Sequence, residues 1–166
     1  MKKINILLLL IIVISCGGNT DSKKNKFEYK AIEKKEEDSN KNSKETVIII
    51  NSNDMMKFDQ NELRVFEGQK ITLTLNHTGK MSKEIMGHNF VLLKKKTDLS
   101  DFAQRAMLAR ENEYIPKGDE TIAYTKMIGG GESDTITFTA PEKGSYTYIC
   151  TFPGHYGLMK GVLIVG

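Results

Sequence analysis

At 166 residues, with 39 % hydrophobic and 27 % charged side chains, the chain has room for one ordinary core plus tails, which excludes a multidomain enzyme. Its 24 basic and 21 acidic residues give a formal charge of only +3, so nothing points to nucleic acid as a partner.

The chain opens Met1-Lys2-Lys3, runs apolar from Ile4 to Ile14 and reaches Ser15-Cys16. That is the charged start, greasy centre and small-residue end of an export signal over residues 1–15. The apolar run is shorter than the roughly 20 residues a spanning helix needs, which argues against a permanent transmembrane helix. Val13-Ile14-Ser15-Cys16 resembles the lipobox of bacterial lipoproteins. The resemblance implies cleavage before Cys16, lipidation of that cysteine, and an exported protein anchored in a membrane and facing the periplasm or the cell exterior; several acyl chains make such an anchor stable. Losing Lys2 and Lys3 leaves 22 basic against 21 acidic side chains.

Residues 16–45 are dominated by Lys, Glu, Asn, Ser and Asp. They cannot bury enough surface to offset their ordering entropy, so a disordered tether is expected there, about thirty residues with a reach of roughly 30 Å. With Cys16 lipidated, Cys150 is the lone thiol of the exported domain and has no intramolecular partner for a disulfide.

From Thr46 onward the texture turns β-prone, over Val47–Ile50, Leu63–Phe66, Ile71–Leu75, Phe90–Leu93, Ile136–Phe138, Tyr146–Ile149 and Val162–Val165. Ile71-Thr72-Leu73-Thr74-Leu75 and Thr135-Ile136-Thr137-Phe138-Thr139 alternate as strands with one buried and one wet face do. Gly68, Gly79, Gly131 and the Pro141-Glu142-Lys143-Gly144 stretch punctuate them. Leu99, Phe102, Ala103, Ala106 and Arg110 recur at helical spacing after Asp98 or Ser100, either of which suits a cap. The expected fold is all-β, a Greek-key β-sandwich of seven or eight strands over residues 46–166, with one short inserted helix.

The chemistry is concentrated in Cys150-Thr151-Phe152-Pro153-Gly154-His155-Tyr156-Gly157-Leu158-Met159, where a thiol, an imidazole and a thioether follow at gaps of five and four residues. A strand ending at Cys150, a tight Phe152-Pro153-Gly154 turn and a strand restarting near Met159 let one loop aim three side chains at a common point. His88, in Met86-Gly87-His88-Asn89 before an apolar strand, is the candidate fourth ligand. One thiolate, two imidazoles and a weak axial thioether are the ligand set of a blue-copper electron-transfer centre.

Asn53-Asp54-Met55-Met56-Lys57-Phe58, Met86 to Asn89, Thr125 to Glu132 and Cys150 to Gly161 resemble segments of the azurin family of cupredoxins, and the likeness spans the domain from Thr46. The resemblance implies one copper ion (Cu²⁺/Cu⁺) held strongly by His88, Cys150 and His155 and weakly by Met159, with the Gly87 carbonyl on the opposite side. It implies that Asn89 and the Phe152 amide hydrogen-bond around the thiolate or its loops. It further implies one-electron shuttling through the edge of His155, ringed by Met56, Met86, Phe152, Pro153, Gly154 and Leu158, to redox proteins such as c-type cytochromes or copper or haem reductases. The domain is expected to be monomeric and not an enzyme. Three histidines leave too few ligands for a second, catalytic metal site, and a single loop cysteine excludes a dinuclear copper centre. The rival is a copper delivery or storage protein. Relative to the family, the disulfide near the domain start is missing, with Thr46 and the Gln69 region in its place. There is no tryptophan, and Phe90 follows the His88-Asn89 pair. His77 matches a non-ligand family histidine that can sense pH, and is read as a satisfied structural residue.

Overall fold

The computed structural model describes residues 43–166; the signal, lipidation and most of the tether readings, Cys16 included, fall outside the described residues. Among the described residues, nine strands form two sheets. The first carries β2 (Lys57–Phe58), β1 (Glu45–Asn53), β4 (Lys70–His77) and β7 (Ser133–Thr139) in that spatial order. The second carries β3 (Glu62–Val65), β9 (Lys160–Val165), β8 (Gly144–Ile149), β5 (Val91–Leu93) and β6 (Thr121–Tyr124). The consecutive strands β1 and β2, β5 and β6, and β8 and β9 pair within one sheet, while the chain crosses between sheets elsewhere; β1 pairs in parallel with β4 and β3 in parallel with β9, and the other ladders are antiparallel.

The alternating strands behave as their pattern predicts. Ile71, Leu73 and Leu75 of β4 are wholly buried while Thr72 and Thr74 stay half-exposed, and they meet Phe90, Leu92, Tyr148 and Leu163 of the opposite sheet in the main core. Burying one such aliphatic side chain stabilises by roughly 1.5–3 kcal/mol. Strand β5 is buried on both faces, which explains its unbroken apolar run: Leu92 points into the sandwich, and Val91 and Leu93 join Phe102, Ile115 and Ile149 in a second cluster under the helix.

That helix, α2 (Leu99–Met107), buries Phe102, Ala103 and Ala106. The Asp98 carboxylate accepts from the Asp101 amide at 3.0 Å, which settles the cap in favour of Asp98 over Ser100. It stops short of Arg110, which opens a 3₁₀ turn over Arg110–Asn112. Three elements were not legible in the sequence. Strand β2 is two residues long, β6 is half-exposed throughout, and the single turn α1 (Lys83–Met86) buries no residue, so none leaves a hydrophobic period. Among the described residues, no helix is long and apolar enough to cross a membrane.

At the start of β4, Gln69 forms a hydrogen-bonded staple with its neighbours. Its Oε1 accepts from the Phe66 amide at 2.8 Å and from Thr46 Oγ1 at 3.1 Å, and its Nε2 donates to the Ser43 carbonyl at 2.8 Å. This closes the end of the sandwich where the described chain begins.

Candidate metal centre

The opposite end gathers the ligand candidates. Strand β8 ends at Ile149 and delivers Cys150, whose amide donates to the Met159 carbonyl at 2.9 Å. The intervening loop is one compact turn: the His155 amide donates to Phe152 O at 3.0 Å and the Met159 amide to His155 O at 2.8 Å. Gly154, at φ 83°, takes the left-handed conformation that glycine adopts without a Cβ penalty. From the neighbouring loop, His88 is fixed by mutual backbone hydrogen bonds with Ile128, at 2.9 and 2.8 Å.

Cys150 Sγ lies 3.9 Å from His88 Nδ1 and 3.7 Å from His155 Nδ1, and the three donor atoms all fall within 4.8 Å of one another. Cys150 and His88 are fully buried and His155 is 4 % exposed. The proton on His88 is placed by its surroundings: Nε2 donates to the Asn53 carbonyl at 2.9 Å, leaving the Nδ1 lone pair toward the sulfur. An ion with metal–sulfur and metal–nitrogen bonds of about 2.3 and 2.0 Å, spread by about 120°, sets sulfur and nitrogen about 3.7 Å apart. The residues therefore fit a single metal ion in a trigonal arrangement, and the one-thiolate, two-imidazole donor set is that of copper.

Burial sets the protonation of the metal-free site. It pushes the Cys150 thiol up to about 12, against the opposing pull of the Asn89 and Phe152 backbone amides on the sulfur. Burial likewise lowers His88 and His155 to about 4. At neutral pH both imidazoles are thus neutral and available as ligands, and metal uptake must displace the thiol proton.

The other predicted residues take the following places. Met159 is fully buried. The Gly87 carbonyl stands 3.8 Å from Cys150 Sγ, and a Cβ at Gly87 would lie 2.5 Å from the Lys83 carbonyl and 3.0 Å from Met127, so only glycine brings that carbonyl in. Asn89 bridges the two ligand loops: its Oδ1 accepts from the Thr151 amide and its Nδ2 donates to Thr151 Oγ1, both at 2.8 Å. His77 is buried and satisfied, Nε2 donating to Met86 O at 2.9 Å and Nδ1 accepting from Gly79 N at 3.0 Å. Its ring stacks on His88 at 4.4 Å.

Of the expected docking residues, Pro153, Gly154 and Leu158 are exposed, whereas Met56 and Met86 are half-buried. Sequence reasoning missed Met55, Met81 and Ile85, which are 70 %, 44 % and 66 % exposed. The Asp54 carboxylate, accepting from the Lys80 and Met81 amides at 2.8 and 3.2 Å, ties the segment bearing Met55 to that bearing Met81 and Ile85.

A two-sheet sandwich that closes one end over a buried sulfur and two neutral imidazoles defines a protein built to hold one soft transition-metal ion out of water. The chain belongs to the plastocyanin/azurin family of copper binding proteins, whose sequence profile matches residues 44–166. It is 44 % identical over 125 residues to Azurin-1 of Alcaligenes xylosoxydans xylosoxydans, covering 72 % of this chain and 96 % of that protein. It is 40 % identical over 125 residues to the azurin of Bordetella pertussis, covering 72 % and 83 %. Among solved structures it is similar to the dithionite-reduced auracyanin of Roseiflexus castenholzii, with TM-score 0.67, 38 % identity and coverage of 73 % and 97 %. It is similar also to auracyanin A of Chloroflexus aurantiacus, described as a "blue" copper protein, with TM-score 0.67, 33 % identity and coverage of 74 % and 99 %.

Proposed function

We propose that this protein is a one-electron carrier that shuttles electrons between redox proteins and is not an enzyme. His88, Cys150 and His155 would hold one copper ion, with Met159 and the Gly87 carbonyl as weak partners. Bound copper would supply a one-electron couple between Cu²⁺ and Cu⁺. The observation that carries the reading is the convergence of Cys150 Sγ on two Nδ1 atoms at 3.7 and 3.9 Å, inside a pocket that excludes water.

The chain's own residues do the rest. Asn53 holds the His88 tautomer, Asn89 locks the His88 loop to the Cys150 loop, and the amides of Asn89 and Phe152 face the sulfur. A site fixed this firmly undergoes little rearrangement when its charge changes. Full burial of Cys150, His88 and Met159 supports retention of the ion over its delivery to another protein. The His155 edge, amid Met56, Met86, Phe152, Pro153, Gly154 and Leu158, would be the doorway for redox partners such as c-type cytochromes or copper or haem reductases; small apolar patches suit brief encounters. The lipobox-like stretch supports export and anchoring through Cys16, with residues 16–45 as tether and a monomeric domain facing the periplasm or cell exterior.

The test is to add Cu²⁺ to the protein and record its visible spectrum beside Cys150→Ser. An intense blue band lost in the variant is expected. A colourless wild-type protein, or a band that survives the substitution, overturns the assignment.

A further inference from the structure

Two consecutive non-glycine residues, Glu113 and Tyr114, sit at φ 53° and 62°. Left-handed backbone at one such residue is uncommon, and a pair of them persists only where the surroundings over-determine it. Here the corner is fastened from several directions. Its backbone closes on the preceding turn, with Glu113 N donating to Arg110 O at 3.2 Å and Tyr114 N to Ala109 O at 2.9 Å. The Glu113 carboxylate accepts from the Met127 amide at 2.8 Å, and the Glu113 carbonyl accepts from Asn89 Nδ2 at 3.4 Å. The corner therefore grips the loop carrying Met127 and the asparagine that joins the two ligand loops.

What the strained geometry achieves is the placement of one ring. Tyr114 meets Phe152 edge-on, centroids 5.5 Å apart at 60°. Phe152 in turn lies 4.7 Å from the His155 ring and accepts the His155 amide through its carbonyl. Tyr114 also lines a hollow of about 240 Å³ whose other walls include the charged Lys83, Glu84, Arg110 and Glu111. Tyr114 thus both packs its ring on Phe152 and forms part of the wall of this hollow.

We propose that Tyr114 is a positioning residue for the His155 side of the site: its ring holds Phe152 against His155 and keeps the water of the hollow away from the ligand. The role rests on the copper reading of the site. It predicts a specific consequence, because the apolar cover around a metal site controls solvent access and through it the reduction potential. Opening the cover favours the more highly charged oxidised form.

The test compares wild type, Tyr114→Phe and Tyr114→Ala in two states of the full protein. In the metal-free state, the His155 ring proton resonances report its position. Tyr114→Ala displaces them, and Tyr114→Phe, which keeps the ring contact, leaves them where they are. In the copper-loaded state, Tyr114→Ala shifts the oxidised-to-reduced equilibrium three- to tenfold toward the oxidised form, the tenfold limit being about 59 mV for one electron, while Tyr114→Phe matches wild type. Wild-type resonances and potential in Tyr114→Ala overturn the proposal, as does a Tyr114→Phe shift as large as that of Tyr114→Ala. Should Tyr114→Ala not fold, Tyr114→Leu carries the same expectations with most of the volume retained. If wild type takes up no copper, the copper reading fails, and the metal-free resonances still decide the positioning role.

Discussion

The two ends of the sandwich are built on different physics. At the end where the described chain begins, one staple, Gln69, is flanked by ion pairs such as Lys70 with Glu45 and Lys95 with Glu142, whose partners are well exposed. At the ligand end, buried side chains hydrogen-bond backbone groups of loops distant in sequence, Asn89 on Thr151, Thr125 Oγ1 on the Phe90 amide and His88 on Asn53, and the half-buried Glu113 does the same on Met127. A pair in water is worth a few tenths of a kcal/mol, whereas a buried donor left without its acceptor costs about 1–3 kcal/mol. The ligand end is therefore the costly one to perturb, and it is the end where a position must be held against a change of charge.

The strongest way to break this contrast is Asn89→Leu, which removes the acceptor of the buried Thr151 amide and the donor to Thr151 Oγ1. A loss of about 2–4 kcal/mol in unfolding free energy is expected, with copper affinity weakened roughly 10- to 100-fold. Denaturant unfolding and a competition titration against a copper chelator check the two. A variant with wild-type affinity would show that the bridge between the ligand loops does not support the site.

The metal-free protein carries a second, pH-dependent signature of the same end. His88 and His155 are held near 4 in the folded state, against 6.5 unperturbed. Below about 6.5 the unfolded chain takes up protons that the folded chain refuses, so their contribution is intact above that pH. It is lost progressively as pH falls toward about 4, and flat below it. Each tenfold drop in a ring's proton affinity corresponds to about 1.4 kcal/mol, so the loss from the two rings together is on the order of a few kcal/mol. Thermal unfolding of metal-free protein between pH 7 and 4 measures it. A pH-independent melting temperature over that window would mean that the rings are not kept neutral by burial. The copper-loaded protein should hold its stability to lower pH, because a ligated Nδ1 has no free lone pair for a proton.

The contrast also explains what the sequence could and could not tell. Ile71, Leu73 and Leu75 alternate with threonines because a sheet has one dry face, and the Cys150, His155 and Met159 spacing is fixed by a single turn; both are local patterns and both are legible. The Phe152 contact with Tyr114 and the grip of Glu113 on Met127 join residues far apart along the chain. Nothing in Glu-Asn-Glu-Tyr marks a left-handed corner, since neither glycine nor asparagine stands at Glu113 or Tyr114. The half-exposed β6 escaped for a related reason: its pairing with β5 is made by backbone groups, which leave no trace in side-chain periodicity.

The opposite end supplies the smaller effects. Gln69→Ala removes the side-chain acceptor of the Phe66 amide and the donor to the Ser43 carbonyl. Gln69 is itself 4 % exposed, so a cost of about 1–3 kcal/mol is expected, without change in the visible spectrum or the reduction potential, because no ligand contact is touched. Lys95→Ala belongs at the bottom of the scale. It breaks a pair with Glu142 and a hydrogen bond to the Lys143 carbonyl at the surface, and a loss within about 0.5 kcal/mol is expected. The informative comparison is between these two variants at one end of the molecule: if Lys95→Ala cost as much as Gln69→Ala, exposure would not be what separates weak from strong polar contacts here. A shift of potential in Gln69→Ala would in turn show that the two ends are mechanically coupled through the strands.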